Sequence, residues 1–197
     1  MFERFRDRFE IDGASGCSGE ELLALIDPLP DGLADLMIRW AGATVGGGLY
    51  RLHTPAAMPD MTALADGVFP DLAGRALCFG ADWLGRQYAV DVGREAANGE
   101  PLLLLLDPWA ADPVQIDSVF VDFHEDDLVD HGDDILAVGL FAGWLDAGGS
   151  MPGPGECVGY RIPLRAGGAD RPENLELARF DEAWARAARV RSDALTE

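Results

Sequence analysis

Residues 75–92 read RALCFGADWLGRQYAVDV, and the pattern within them sets the fold. Tyr88, Val90 and Val92 alternate with Gln87, Ala89 and Asp91, the period of two that marks a half-buried strand. A matching run over 75–80 precedes it, with the tight segment 81–85 between. Downstream, 102–106 is an unbroken apolar run bounded by Pro101 and Asp107-Pro108, which predicts a strand covered on both faces and central in its sheet. Val114 and Ile116 then alternate with Gln115 and Asp117 across the turn 108–113. Residues 74–117 are therefore predicted as an antiparallel β-meander.

Outward from this meander the periodicity becomes helical. Phe2, Phe5 and Phe9 share one face of a short opening helix, with charges on the other. Ser18 with Glu21 forms a capping box for a helix through Ile26, which Pro28 and Pro30 stop. Leu33, Leu36, Met37, Trp40 and Ala41 form the clearest amphipathic stripe, read as core. An edge strand is expected at 49–53, and a helix after Pro59 presents Met61, Leu64, Ala65 and Val68. Beyond the meander, helices are expected at 118–128 and 133–145, the second carrying Leu136, Leu140, Phe141 and Trp144. Residues 147–155 form a Gly- and Pro-rich loop, 157–164 a last extended stretch, and the chain closes in a helix with Phe180, Ala183, Trp184, Ala187 and Ala188 on one face. Helices before and after an antiparallel sheet spell α+β in a single domain over 1–197, with a helical part at 1–70 and the sheet and C-terminal helices at 71–197.

Composition narrows the function. Fifteen basic residues, all Arg, stand against 35 acidic ones, a formal charge of −20. Such a chain repels nucleic acid and anionic membrane and accelerates encounter with a basic partner. No secretory signal or membrane-spanning run is present, so the expected location is the cytoplasm. Cys17, Cys78 and Cys157 are too far apart for a Cys-x-x-Cys site; Cys78 reads as buried, while Cys157, beside a Gly-rich loop, is the candidate reactive thiol.

Catalytic motifs are missing. Gly80 and Gly85 have the spacing of a phosphate loop, but Arg86-Gln87 follows where Lys and Ser or Thr are needed. Gly46–Gly48 precedes a strand, the reverse of a dinucleotide fingerprint. There is no Gly-x-Ser-x-Gly elbow. His124 and His131 lie among carboxylates, but a gap of seven residues does not pair two imidazoles on one helix, so no metal or other cofactor is expected. What stands out is the run from Asp117 to Asp134, with eight carboxylates and no Arg, interrupted by Phe120, Phe123, Leu128 and Val129. With the apolar members facing inward, Asp122, Glu125, Asp126, Asp127, Asp130, Asp133 and Asp134 form an exposed anionic surface suited to a cationic protein.

Three segments carry a family resemblance: Gly47-Gly48-Leu49-Tyr50-Arg51-Leu52-His53; Phe79-Gly80-Ala81-Asp82-Trp83-Leu84-Gly85-Arg86; and Cys157-Val158-Gly159-Tyr160-Arg161-Ile162-Pro163-Leu164 with Gly167-Gly168-Ala169-Asp170 and Glu173-Asn174-Leu175-Glu176. Over about 2–184 the chain resembles bacterial type VI secretion immunity proteins with a GAD-like N-terminal part and a DNase-antidote-type C-terminal domain, related to the SUKH superfamily. The likeness implies an α+β fold, no catalysis, and binding to a cognate secreted toxin. Phe120 and Phe123-His124 through Leu128 resemble the family's pattern after the sheet, which implies a structural His124. The expected function is thus an immunity protein whose acidic helix competes with nucleic acid for a basic toxin, for instance a nuclease. The alternatives are a SUKH-like interaction module with a non-toxin partner and, resting on the acid and His cluster alone, a metal-dependent hydrolase.

Overall fold

The computed structural model describes residues 1–27, 29–110 and 112–194; Pro28, expected to help stop a helix, and Ala111, in the turn before the last meander strand, lie outside them. The chain opens with α1 (Glu3–Arg8), β1 (Ile11–Asp12), α2 (Gly19–Leu23), α3 (Leu33–Trp40), β2 (Thr44–Val45), β3 (Tyr50–Leu52) and α4 (Met58–Val68). The meander follows as β4 (Ala76–Asp82), β5 (Gln87–Glu95), β6 (Pro101–Leu106) and β7 (Val114–Ile116). Among the described residues, seven strands form one sheet in strict chain order, each antiparallel to the next. The fold is α+β, as the sequence pattern requires. Residues 1–70 contribute three strands to that sheet besides their helices.

Two placements differ from expectation. Strand β3 is internal, because β1 and β2 extend the sheet past it; two residues each are too few to show a period. Strand β6 is next to the edge, and the middle position belongs to β4. The apolar run of β6 nevertheless has the expected cause, since both faces of the sheet are covered. Leu103 packs with Leu77, Phe79, Tyr88 and Val90 under α1, α3 and the helix after β7. Leu104 and Leu106 pack on the opposite face with Cys78 and Ala89, beneath α4 and the C-terminal helix.

After β7 the chain winds through α5 (Phe120–Asp122), a π-helical turn (Phe123–Asp127) and α6 (Leu128–Ile135) without a break, then restarts as α7 (Val138–Asp146). The two expected helices thus meet at Leu136-Ala137, where Ala137 takes a left-handed φ of 50°. Gly132 lies inside α6 because a Cβ there would stand 3.2 Å from the Phe9 ring; it admits α1 instead of ending the helix. Helix α2 keeps its Ser18–Glu21 capping box but ends at Leu23, short of Ile26. Last come β8 (Glu156–Tyr160), β9 (Leu175–Arg179) and α8 (Phe180–Ala194), with β8 and β9 pairing as a separate antiparallel ribbon. Phe180, Ala183, Trp184 and Ala187 are the buried face of α8, as their spacing predicts.

Candidate functional site

The acidic helix is built around its inner side. Phe120, Phe123, His124 and Leu128 are all at most 1% exposed, and the π-helical turn accommodates the adjacent pair Phe123-His124 on the same inward face. The Phe120 carbonyl lies 2.9 Å from His124 Nδ1 and can only accept, so Nδ1 carries the proton. Nε2 then accepts from the Tyr50 hydroxyl at 3.2 Å. Burial pushes the imidazole pKa down to about 4, opposed by the Phe120 hydrogen bond, so it is neutral at pH 7. Both ring nitrogens are occupied and His131 is exposed, so the two imidazoles do not form a ligand pair, and no group of metal-ligating side chains exists among the described residues.

The other end of this helix is gripped by the motif turn between β4 and β5. Buried Asp82 accepts N–H bonds from Leu84 at 3.0 Å and Arg86 at 3.1 Å, and the Arg86 Nε at 2.6 Å. Burial, the largest single influence, opposes the Arg86 charge, but Asp82, Tyr88 and Asp107 together outweigh it and the guanidinium pKa rises. Arg86 Nη2 donates to the Ile135 carbonyl at 2.6 Å, and Trp83 Nε1 to that of Leu136 at 2.7 Å. A cation and an indole therefore satisfy carbonyls that α6 leaves open at its C-terminus. The same turn holds the C-terminal part of the chain: Val158 N–H donates to the Trp83 carbonyl at 2.7 Å, and Trp184 Nε1 to that of Gly85 at 3.0 Å. Gly85 has φ 77°, and a Cβ on it would sit 2.8 Å from Cys157 Sγ. These motif residues join elements; they are not exposed binding groups.

Of the seven carboxylates expected at a partner surface, four are engaged by α1. Phe2, the N-cap of α1, has φ 64° and no side-chain cap. Glu125 supplies one from the facing helix, accepting the N–H of Arg4 at 2.9 Å and of Phe5 at 3.3 Å. The Arg4 guanidinium binds Asp126 and reaches Asp130 at 2.7 Å, and Arg8 pairs with Asp133 at 2.8 Å. Asp127 accepts the Ser118 hydroxyl at 2.5 Å. The carboxylates of Asp122 and Asp134 stand exposed, with no ion pair or side-chain hydrogen bond among the described residues. Part of the row thus seats the first helix. Sequence shows the alternating Arg4, Arg6 and Arg8, but nothing in it says that Arg4 and Arg8 meet this helix. The face stays anionic, because among the described residues its ion pairs come from two guanidinium groups against seven carboxylates.

Cys157 is also corrected. It is 1% exposed and burial pushes its thiol up to about 12, as with Cys78, so neither is a reactive nucleophile. Unanticipated is an open groove of about 460 Å³ between β7 and the acidic helix, with Leu105, Val114, Ile116 and Phe123 in its lining and Asp127 and Asp134 beside them. The only sequence signal for it was Val114 and Ile116 at the last predicted strand.

No protein-family profile matches the chain, and no curated protein matches it. Among solved structures, the crystal structure of Atu4351 from Agrobacterium tumefaciens is similar, with a TM-score of 0.66 over 95% of this chain and 88% of that one, at 14% identity. At that identity the likeness concerns the fold alone.

Proposed function

We propose that the protein is a non-catalytic binding protein whose anionic helix face engages a cationic protein, and that this partner is a secreted toxin which it neutralises in the cytoplasm as an immunity protein. The observation that carries the reading is the outer side of α5, the π-helical turn and α6, a row of carboxylates over a fully packed interior, with Asp122 and Asp134 unpaired among the described residues. Such a row offers Arg and Lys of a partner the acceptors they otherwise find on phosphate. Buried titratable groups support it by their occupation: Asp82 with Arg86, Asp91 with Arg75 and His124 with Tyr50 each complete a structural pair.

The test is co-expression with the product of the adjacent gene. The chain protects the cell, and Asp122→Arg with Asp134→Arg abolishes protection while leaving the fold intact by circular dichroism. Undiminished protection by the folded double variant removes the acidic face from the mechanism. A neighbour that is harmless on its own, yet is captured by the protein, favours an interaction module with a non-toxin partner.

A further inference from the structure

The acidic helix covers the sheet incompletely at its far edge. Leu103 pairs with Ile116 and Leu105 with Val114, so these side chains point to the face that the helix packs on. Leu103 is fully covered, but Leu105 and Ile116 are only partly so, and Val114 is 49% exposed. The resulting groove runs between β7 and the helix, floored by Leu105, Val114, Ile116 and Phe123. Asp127 and Asp134 stand along the helix side, and Asp134 has no counter-ion among the described residues. Arg86 also lines the groove, but its charge is committed to Asp82 and the Ile135 carbonyl. Strand β7 is the last in the sheet order, so its outer backbone edge has no strand partner among the described residues.

Apolar floor, carboxylate wall and open strand edge together describe one kind of occupant. An extended segment laid along β7 can take the free backbone groups, while alternate side chains fall into the groove. Apolar residues of that segment fit over Val114 and Ile116, and basic ones meet Asp134 and Asp127. We propose that this groove takes a basic, alternately apolar strand of a partner protein by adding it to the β7 edge. The proposal rests on the anionic face being the partner surface and specifies how part of that face is used.

The probe is an acetylated, amidated octapeptide alternating Arg and Val, titrated into the isotope-labelled full chain and followed by amide NMR. Shifts are expected to concentrate on Val114, Gln115, Ile116 and Asp134, with intermolecular Hα contacts to β7. Replacing Arg by Glu in the peptide abolishes binding, and Asp134→Arg in the protein weakens it by about tenfold or more. Asp71→Arg, the same charge change at an exposed site elsewhere, leaves affinity within about twofold at moderate salt. Val114→Asp, a substitution at a half-exposed site that the fold tolerates, also removes binding. Shifts spread over Asp122, Asp126 and Asp130 instead, or equal losses from Asp134→Arg and Asp71→Arg, overturn the groove while leaving the anionic face as a partner surface. Failure of the basic peptide to bind overturns the groove as well; protection of the cell in the co-expression assay then decides separately whether the face is used.

Discussion

If the acidic row serves binding, it has to be editable without unfolding the protein, and the contact with α1 sets how far. Asp126→Asn with Asp130→Asn removes both carboxylates from Arg4. The side chains of Arg4, Asp126 and Asp130 are 48%, 58% and 51% exposed, so each pair sits about half in water. Screened pairs of this kind contribute roughly 0–1 kcal/mol each, giving a total loss of no more than about 2 kcal/mol. Helix α1 is otherwise held by Phe2, Phe5 and Phe9, which are 1%, 0% and 6% exposed, with Phe5 and Phe2 ringing His124 at centroid distances of 5.4 and 5.9 Å. Phe5→Ala therefore costs about 3–5 kcal/mol. Urea unfolding followed by tryptophan fluorescence reads both numbers, and an unchanged m-value certifies that the same unfolding is being compared. Should the double Asn variant lose more than Phe5→Ala, α1 would be held by charge instead of by its rings. The anionic row would then be a structural clamp, not a surface free to serve a partner.

Other consequences follow from the buried groups. His124 has a folded pKa of about 4 against the ordinary 6.5, so the unfolded chain binds the extra proton first as pH falls. Stability from this group is full above about pH 6.5 and declines toward pH 4 by up to about 3 kcal/mol. The His124 imidazole resonance should accordingly stay in its neutral position between pH 7 and 5; titration near 6.5 would contradict its packing. A thiol reagent added to the native protein should label Cys17, the partly exposed one, and reach Cys78 and Cys157 only after denaturation. Gly85→Ala combines a left-handed backbone with a Cβ against Cys157, and should lower stability by about 2–4 kcal/mol. Adding Cys157→Ala removes the contact with Sγ but leaves the Cys157 Cβ at 2.9 Å and the backbone strain, so in a double-mutant cycle the two losses should be only slightly less than additive.

The sheet was legible because period two shows in β5 and β7 and β6 is an unbroken apolar run between Pro101 and Asp107-Pro108. Strands β1 and β2 escaped for the opposite reason, and β9 was missed although Leu175 and Leu177 alternate with Glu176 and Ala178 in it. Helix ends misled where a residue's usual role was taken over by tertiary packing. Gly132 admits the Phe9 ring inside a helix, while Ala137, an ordinary helix former, takes the left-handed turn that Gly usually supplies. At the candidate site, composition revealed the negative charge of the helix, and the Phe spacing revealed its inner face. It could not reveal that Glu125 caps α1 or that Arg4 and Arg8 cover part of the row, since those contacts join residues more than a hundred positions apart. Nor could it show that the helix stops short of Val114.

The central claim is that this body binds by its negative charge. It is tested most directly by measuring the association rate of the purified protein with its captured cognate partner at about 0.05 M and about 0.5 M salt, where the screening length falls several-fold. The expected result is a partner with a basic contact surface and an association rate that drops by an order of magnitude or more at the higher salt, with dissociation changing far less. A rate indifferent to salt, or a partner as acidic as this chain, would contradict it.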